Sequence, residues 1–315
     1  MTDQPPTPRG SVASPTRDDR GGTPAREQGE RAPLDEQATA VDPSRRAGFE
    51  HGGGADERGA EVEHRRFRAV ALATYLVALL SWLALFTSAV PLPGGGSAAA
   101  MAAPGMPEAM ALAAGPVGIV LYLLAWGVMM VAMMYPAEAR VFQGYADVRR
   151  STSGPTVPFE VAAFVLTYTL VWTLLGVVPL AVNLLVPIAA LAVGNGALFA
   201  GAALLLLSAY QLSPAKTRCL QHCRSPATAL RGHDALAGLD GAVRSSWHLT
   251  VYDVGACWTL MALMVVVGSM NVLWMAAITV LLTVERLASW GVTFARGLGV
   301  VGGVGGAALL VVGLA

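Results

Sequence analysis

Two of the chain's three cysteines lie four residues apart in Cys219-Leu220-Gln221-His222-Cys223, with a histidine between them. The surrounding segment, Tyr210–Pro226, follows a long apolar run and holds the single lysine, Lys216. On a helix Cys219 and Cys223 share a face, and His222 neighbours Cys219 at a three-residue spacing. Two thiolates on one face can clamp a soft or borderline cation, although zinc or copper needs further ligands from elsewhere. A pair of ordinary thiols and a redox pair are the competing readings, and His222 is equally a surface histidine. Pro214 should restart the helix, because it lacks an N–H and disfavours helix in the residue before it. Lys216, Arg218 and Arg224 then read as headgroup-level charges that set topology.

A second group of soft donors lies in Trp126–Pro136, where Met129, Met130, Met133 and Met134 fall within six positions. Met129/Met133 and Met130/Met134 each repeat at one helical turn, so each pair presents two thioethers on one face. Thioethers suit Cu(I), while methionine is equally a filler of apolar cores. A third group spans Tyr252–Met264, with Cys257 and Met261 one turn apart and Asp253 four residues before Cys257. An ionisable residue at the edge of a membrane span is a functional candidate by default. Glu138, Glu160 and Glu285 read as helix-end or interfacial charges, and His248 as a peripheral ligand or an exposed side chain.

The elements that must position these groups are membrane helices. Hydrophobic residues make up 54% of the 315 and charged residues 13%, about half the charged share of a soluble domain. Residues 1–68 carry 11 of the 21 basic and 13 of the 21 acidic side chains. That segment buries too little apolar surface to offset the entropy of ordering, so a disordered cytoplasmic tail is expected over 1–68 and a transmembrane helical domain over 69–315. The tail has no apolar stretch of the signal-peptide kind. Its arginines without lysine reflect a GC-rich genome. With a net charge near zero and no basic stripe beyond the tail, a nucleic-acid partner is not expected. Three cysteines do not make a disulfide scaffold.

Crossing a bilayer takes about 20 apolar residues. Candidate spans are 69–90, 117–136, 160–186, 197–213, 250–268, 271–284 and 296–314. Residues 250–284 form either one long helix or two short ones broken at Gly268-Ser269-Met270-Asn271. Cytoplasmic loops collect Lys and Arg. Basic residues fall before the first span, after the second (Arg140, Arg149, Arg150) and in 214–249, whereas 91–116 and 187–196 have none. This alternation favours seven spans over six, with the N-terminus cytoplasmic, in an all-α polytopic bundle of the plasma (inner) membrane. Gly297–Gly306 reads as a face for close helix packing. Span parity puts Met133, Met134, Cys219, Cys223, Cys257 and Met261 at one membrane face.

These three segments together resemble the DUF2182 family of bacterial, predicted metal-binding integral membrane proteins. The resemblance covers about residues 69–314 and rests on the Met-Met-x-x-Met-Met-x-Pro run ending at Pro136. It also rests on Tyr210-Gln-Leu-Ser-Pro-x-Lys216 with Cys219 to Pro226, and on Cys257-Trp258-x-Leu-Met261 followed by Met270-Asn271. Some members are described as copper chaperones or cytochrome c oxidase assembly factors. The resemblance implies a copper site built from Cys219, Cys223, Cys257, Met133, Met134 and Met261, with His222 and Asp253 as further candidates. It also implies a copper-receiving membrane partner such as an oxidase subunit, with membrane lipid around the bundle. Members usually carry Tyr-Cys-x-Gly-Cys-Cys-Trp where this chain has Tyr252-Asp253-Val254-Gly255-Ala256-Cys257-Trp258. The chain therefore binds metal with fewer thiolates, has changed metal, or has lost binding.

The expected function is a non-enzymic copper chaperone or assembly factor. No nucleophile–base pair, phosphate loop or dinucleotide fingerprint is present. The alternatives are a transporter or permease, disfavoured by the scarcity of ionisable groups deep in the spans, and a structural membrane subunit with inert thiols.

Overall fold

The computed structural model describes residues 69–91, 102–152, 156–224, 230 and 238–315. All of them belong to one compact unit. The N-terminal tail 1–68, residues 92–101 of the loop before the second span, and Arg231 lie outside the described residues. The described residues form helices joined by short turns, with no strand among them.

In chain order the helices are α1 Ala69–Phe86, α2 Met106–Ala113, α3 Gly115–Thr152, α4 Val157–Leu175, α5 Val177–Leu185, α6 Ile188–Gln211, α7 Pro214–Cys223, α8 Gly238–Val267, α9 Val272–Leu287 and α10 Gly291–Leu314. Six helical segments are long and apolar enough to cross a membrane: α1, α3, α4 with α5, α6, α8 and α10. The chain is therefore an all-α polytopic membrane bundle. The doubtful stretch 250–284 is two helices. Gly268 turns the chain with φ 113°, and a Cβ there would lie 2.1 Å from the Ala102 carbonyl oxygen. Asn271 then caps α9 by accepting from Leu273 N (3.1 Å) and Trp274 N (3.3 Å).

Pro136 does not end the second span. The 38-residue α3 runs through it to Thr152, about 57 Å at the helical rise and well beyond a hydrocarbon core of about 30 Å. Proline leaves the carbonyl four residues back without its helical donor. That carbonyl, Ala132 O, accepts from Trp82 Nε1 of α1 at 2.9 Å. Arg140, Arg149 and Arg150 are accordingly helical and not in a loop. Arg149 pairs with Glu160 of α4 at 2.6 Å, both buried. The glycine face of α10 packs on α6 as its composition predicts. A Cβ on Gly201 would lie 3.0 Å from the Gly306 carbonyl oxygen, and one on Gly306 would lie 2.9 Å from the Gly201 oxygen.

Candidate metal centre

The restart at Pro214 sets the site. Ser213 caps α7 by accepting from Lys216 N at 3.1 Å. The short helix packs against the middle of α8, where Cys219 Sγ comes 2.8 Å from the position a Cβ on Gly255 would take. Only a glycine at 255 lets α7 approach this closely. Tyr210 Oη donates to the Gly255 carbonyl, and its ring meets Trp258 edge-on at 5.0 Å. His222 stacks on Tyr252 at 3.8 Å. Cys219 is half-buried, whereas Cys223 and Cys257 are buried, and all three are free thiols. Cys257 Sγ donates back to the Asp253 carbonyl at 3.1 Å. Burial pushes the Cys223 thiol well above the ordinary thiol range. Asp253, Cys257 and Cys219 are close enough to push it the same way, and Lys216 opposes them. The three thiols and Asp253 thus occupy one electrostatic neighbourhood.

Around them lies a buried charge network that sequence reasoning placed at the interface. Arg286 of α9 pairs through one guanidinium nitrogen with Glu138 of α3 and through the other with Asp253 of α8. Asp253 Oδ2 also accepts from Tyr168 Oη and, at 3.1 Å, from Trp172 Nε1, both on α4. The neighbouring Glu285 holds Lys216 Nζ at 2.6 Å and Gln211 Nε2 at 2.7 Å. Lys216 donates as well to the Ala256 carbonyl, and Arg224 donates to the Glu285 and Ala288 carbonyls. Every one of Glu138, Lys216, Asp253, Glu285 and Arg286 is at most 1–2% exposed. The headgroup-level reading of Lys216 and the interfacial reading of Glu138 and Glu285 are therefore corrected, whereas Glu160 and Glu285 do lie in the end turns of α4 and α9, buried there. A charge at this depth persists because it is paired and hydrogen-bonded. Arg218, by contrast, is exposed. The legible signal was a charge flanked by apolar residues at a span end, but not which charge meets which.

The methionines are core residues. Met133 and Met134 are fully buried on α3, with Met134 one turn before Glu138. Met261 lines an apolar cleft of about 450 Å³ with Trp126, Trp172, Val254 and Trp258.

The donor chemistry fits Cu(I) in kind, with Cys257 in the same buried cluster as the methionines. The arrangement is not a ready-made chelate. Among the described residues no three His, Cys, Asp or Glu side chains converge as metal ligands. Asp253 explains part of this, because both its oxygens are already engaged by Arg286, Tyr168 and Trp172. Where the resembling family carries cysteine, this chain has put an anion that anchors the network.

Residues 123–309, more than half of the chain, match the family model described as PpoB2, copper chaperone. No curated protein and no solved structure matches the chain.

Proposed function

The chain belongs to the PpoB2 copper chaperone family, and from that membership we propose that it holds Cu(I) as cargo at the cytoplasmic face of the inner membrane. Cys219 and Cys223 on α7 and Cys257 on α8 are the primary donors. Met133, Met134 and Met261 supply thioethers as the ion moves inward, His222 is a peripheral donor, and Asp253 acts through the charge network. The observation that carries this reading is the seating of α7 on α8 at Gly255, with Cys219 and Cys257 both near enough to Cys223 for their charges to act on its thiol.

A low-coordinate site of thiolates with a thioether asks for no preformed three-ligand chelate, and that openness suits an ion to be passed on. Loading requires the Cys223 proton to leave, because the thiolate is the ligand. Exposed arginines at 140, 150, 218, 244 and 296 all lie at this end of the bundle. By the positive-inside rule that end is cytoplasmic, and a reducing compartment keeps the thiols available. The N-terminal residues 1–68 would then form a cytoplasmic tail on the membrane domain 69–315. The role is non-enzymic, and the recipient is a copper-receiving membrane protein such as an oxidase subunit. The DUF2182 resemblance supports the same reading.

Titration of purified protein with Cu(I) against a chromophoric chelator tests it. The Cys219→Ser/Cys223→Ser variant should hold less copper than the parent. Equal stoichiometry and affinity in the two proteins would sink the proposal.

A further inference from the structure

Methionine builds the core between the two ends of the bundle. Met129, Met130, Met133 and Met134 of α3, Met261 and Met264 of α8, and Met275 of α9 belong to one contiguous buried cluster, none more than 7% exposed. Methionine is confined to part of the bundle: α1, α4, α6 and α10 contain none, and α4 packs with Phe164, Tyr168 and Trp172. The sulfurs of α8 continue the thiol site in steps. Cys257, Met261 and Met264 follow at four and three residues, about 6 and 4.5 Å along the axis. On α3, which runs antiparallel, Met130 and Met134 repeat at about 6 Å and lead to Glu138.

Each end of this stretch holds a buried carboxyl with one oxygen left open. Glu138 Oε1 faces Arg286, and its Oε2 has no hydrogen-bond partner. At the opposite end Glu108 of α2 is fully buried. Its Oε1 accepts from Tyr122 Oη at 3.0 Å and Ser269 Oγ at 2.7 Å, while Oε2 has no partner. Its partners are hydroxyls and not a cation, and a carboxyl buried this deeply is tolerated either as the neutral acid or beside a cation. Tyr122 and Glu138 stand about 24 Å apart on α3, most of a hydrocarbon core of about 30 Å.

We infer that α3, α8 and α9 form a thioether ladder that carries Cu(I) through the bundle between Glu108 and the Cys219, Cys223 and Cys257 group. This rests on the copper reading above and adds translocation to it. Each step is ligand exchange: a bond from copper to the next sulfur forms as the bond to the previous one breaks. Copper stays Cu(I), and no electron moves. The thioethers are neutral, so one positive charge crosses per ion. A thiol proton leaves to solvent past the half-buried Cys219 when a cysteine takes the ion, and it returns when the ion is passed on.

The full chain in liposomes enclosing bathocuproine disulfonate, with Cu(I) and ascorbate outside, provides the test. Chelate should form inside faster than in protein-free vesicles. Met130→Leu and Met264→Leu conserve volume and should each slow entry by about tenfold, or about 1.4 kcal/mol on the barrier. Met110→Leu, on half-buried α2, should leave the rate unchanged. Entry no faster than in protein-free vesicles, or unchanged by both core variants, overturns the ladder. Copper bound per protein, measured on the same preparations in detergent, separates the two readings. Cysteine-dependent binding without entry refutes the ladder alone, whereas loss of both refutes the copper reading with it.

Discussion

Two seams hold this bundle together by different physics. Between α3, α7, α8 and α9 the joint is ionic: Arg286 bridges Glu138 and Asp253, and Glu285 gathers Lys216 and Gln211. Between α6 and α10 the joint is glycine against leucine, with Leu204 and Leu310 beside the glycines. Gly201 and Gly306 bring their backbones together, and Gly299 and Gly303 face Gln211 and Ser208. Lipid is as apolar as leucine, so neither seam can rely on the hydrophobic effect between helices. The glycine seam gains contact by removing atoms and specifies only closeness. The ionic seam specifies which helix meets which, since each charge is tolerable only beside its partner. The soft donors sit at the ionic seam, where the geometry is most strongly constrained.

The largest expected effect comes from taking the centre out of the ionic seam. Arg286→Met leaves Glu138 and Asp253 buried without a cation and should cost about 3–5 kcal/mol. Reversible unfolding in mixed detergent measures it, and a cost equal to that of a lipid-facing substitution would erase the distinction between the seams. Gly306→Leu should cost less, about 1–3 kcal/mol, because α10 can tilt away from α6. If its cost exceeds that of Arg286→Met, closeness and not charge is the stronger constraint. Ser213→Ala removes the α7 cap and should cost about 1 kcal/mol, with a larger proportional loss in Cu(I) affinity, because α7 carries two of the thiols.

The smallest effect is on pH dependence. The Cys223 pKa is raised in the fold, chiefly by burial. Below the ordinary thiol range both states hold the proton and its contribution is intact. As pH rises from there toward the raised value, the unfolded chain loses the proton first, so stability falls. Cys223→Ser should flatten that decline in unfolding measured across the alkaline range. An unaltered slope would mean that Cys223 is solvated in the fold.

The break at 268–271 was legible because Gly and Asn have conformational uses there, and the glycine face of 297–306 because small residues leave few alternatives. The soft-donor groups were legible from residue type and spacing. Pro136 misled because its freed carbonyl found Trp82, 50 residues away. Lys216, Glu138 and Glu285 misled for a similar reason. A charge near a span end is interfacial unless a partner is brought to it, and the partners here lie 69 residues from Lys216 and on three different helices from Glu138 to Arg286 to Asp253.

The sequence by itself determined the all-α membrane architecture and the chemical softness of the donors, because apolar length, helical spacing and side-chain type are local quantities. Of the seven spans expected, only six helical segments among the described residues are long and apolar enough to cross, 271–284 not among them. Tertiary structure decided that Asp253 serves as an anchor for Arg286, that Gly255 exists to admit Cys219, and that methionines from three helices share one core. Each of these depends on which helix faces do meet, and in a bundle surrounded by lipid that choice is made by paired charges and close backbone contact between residues far apart in the chain.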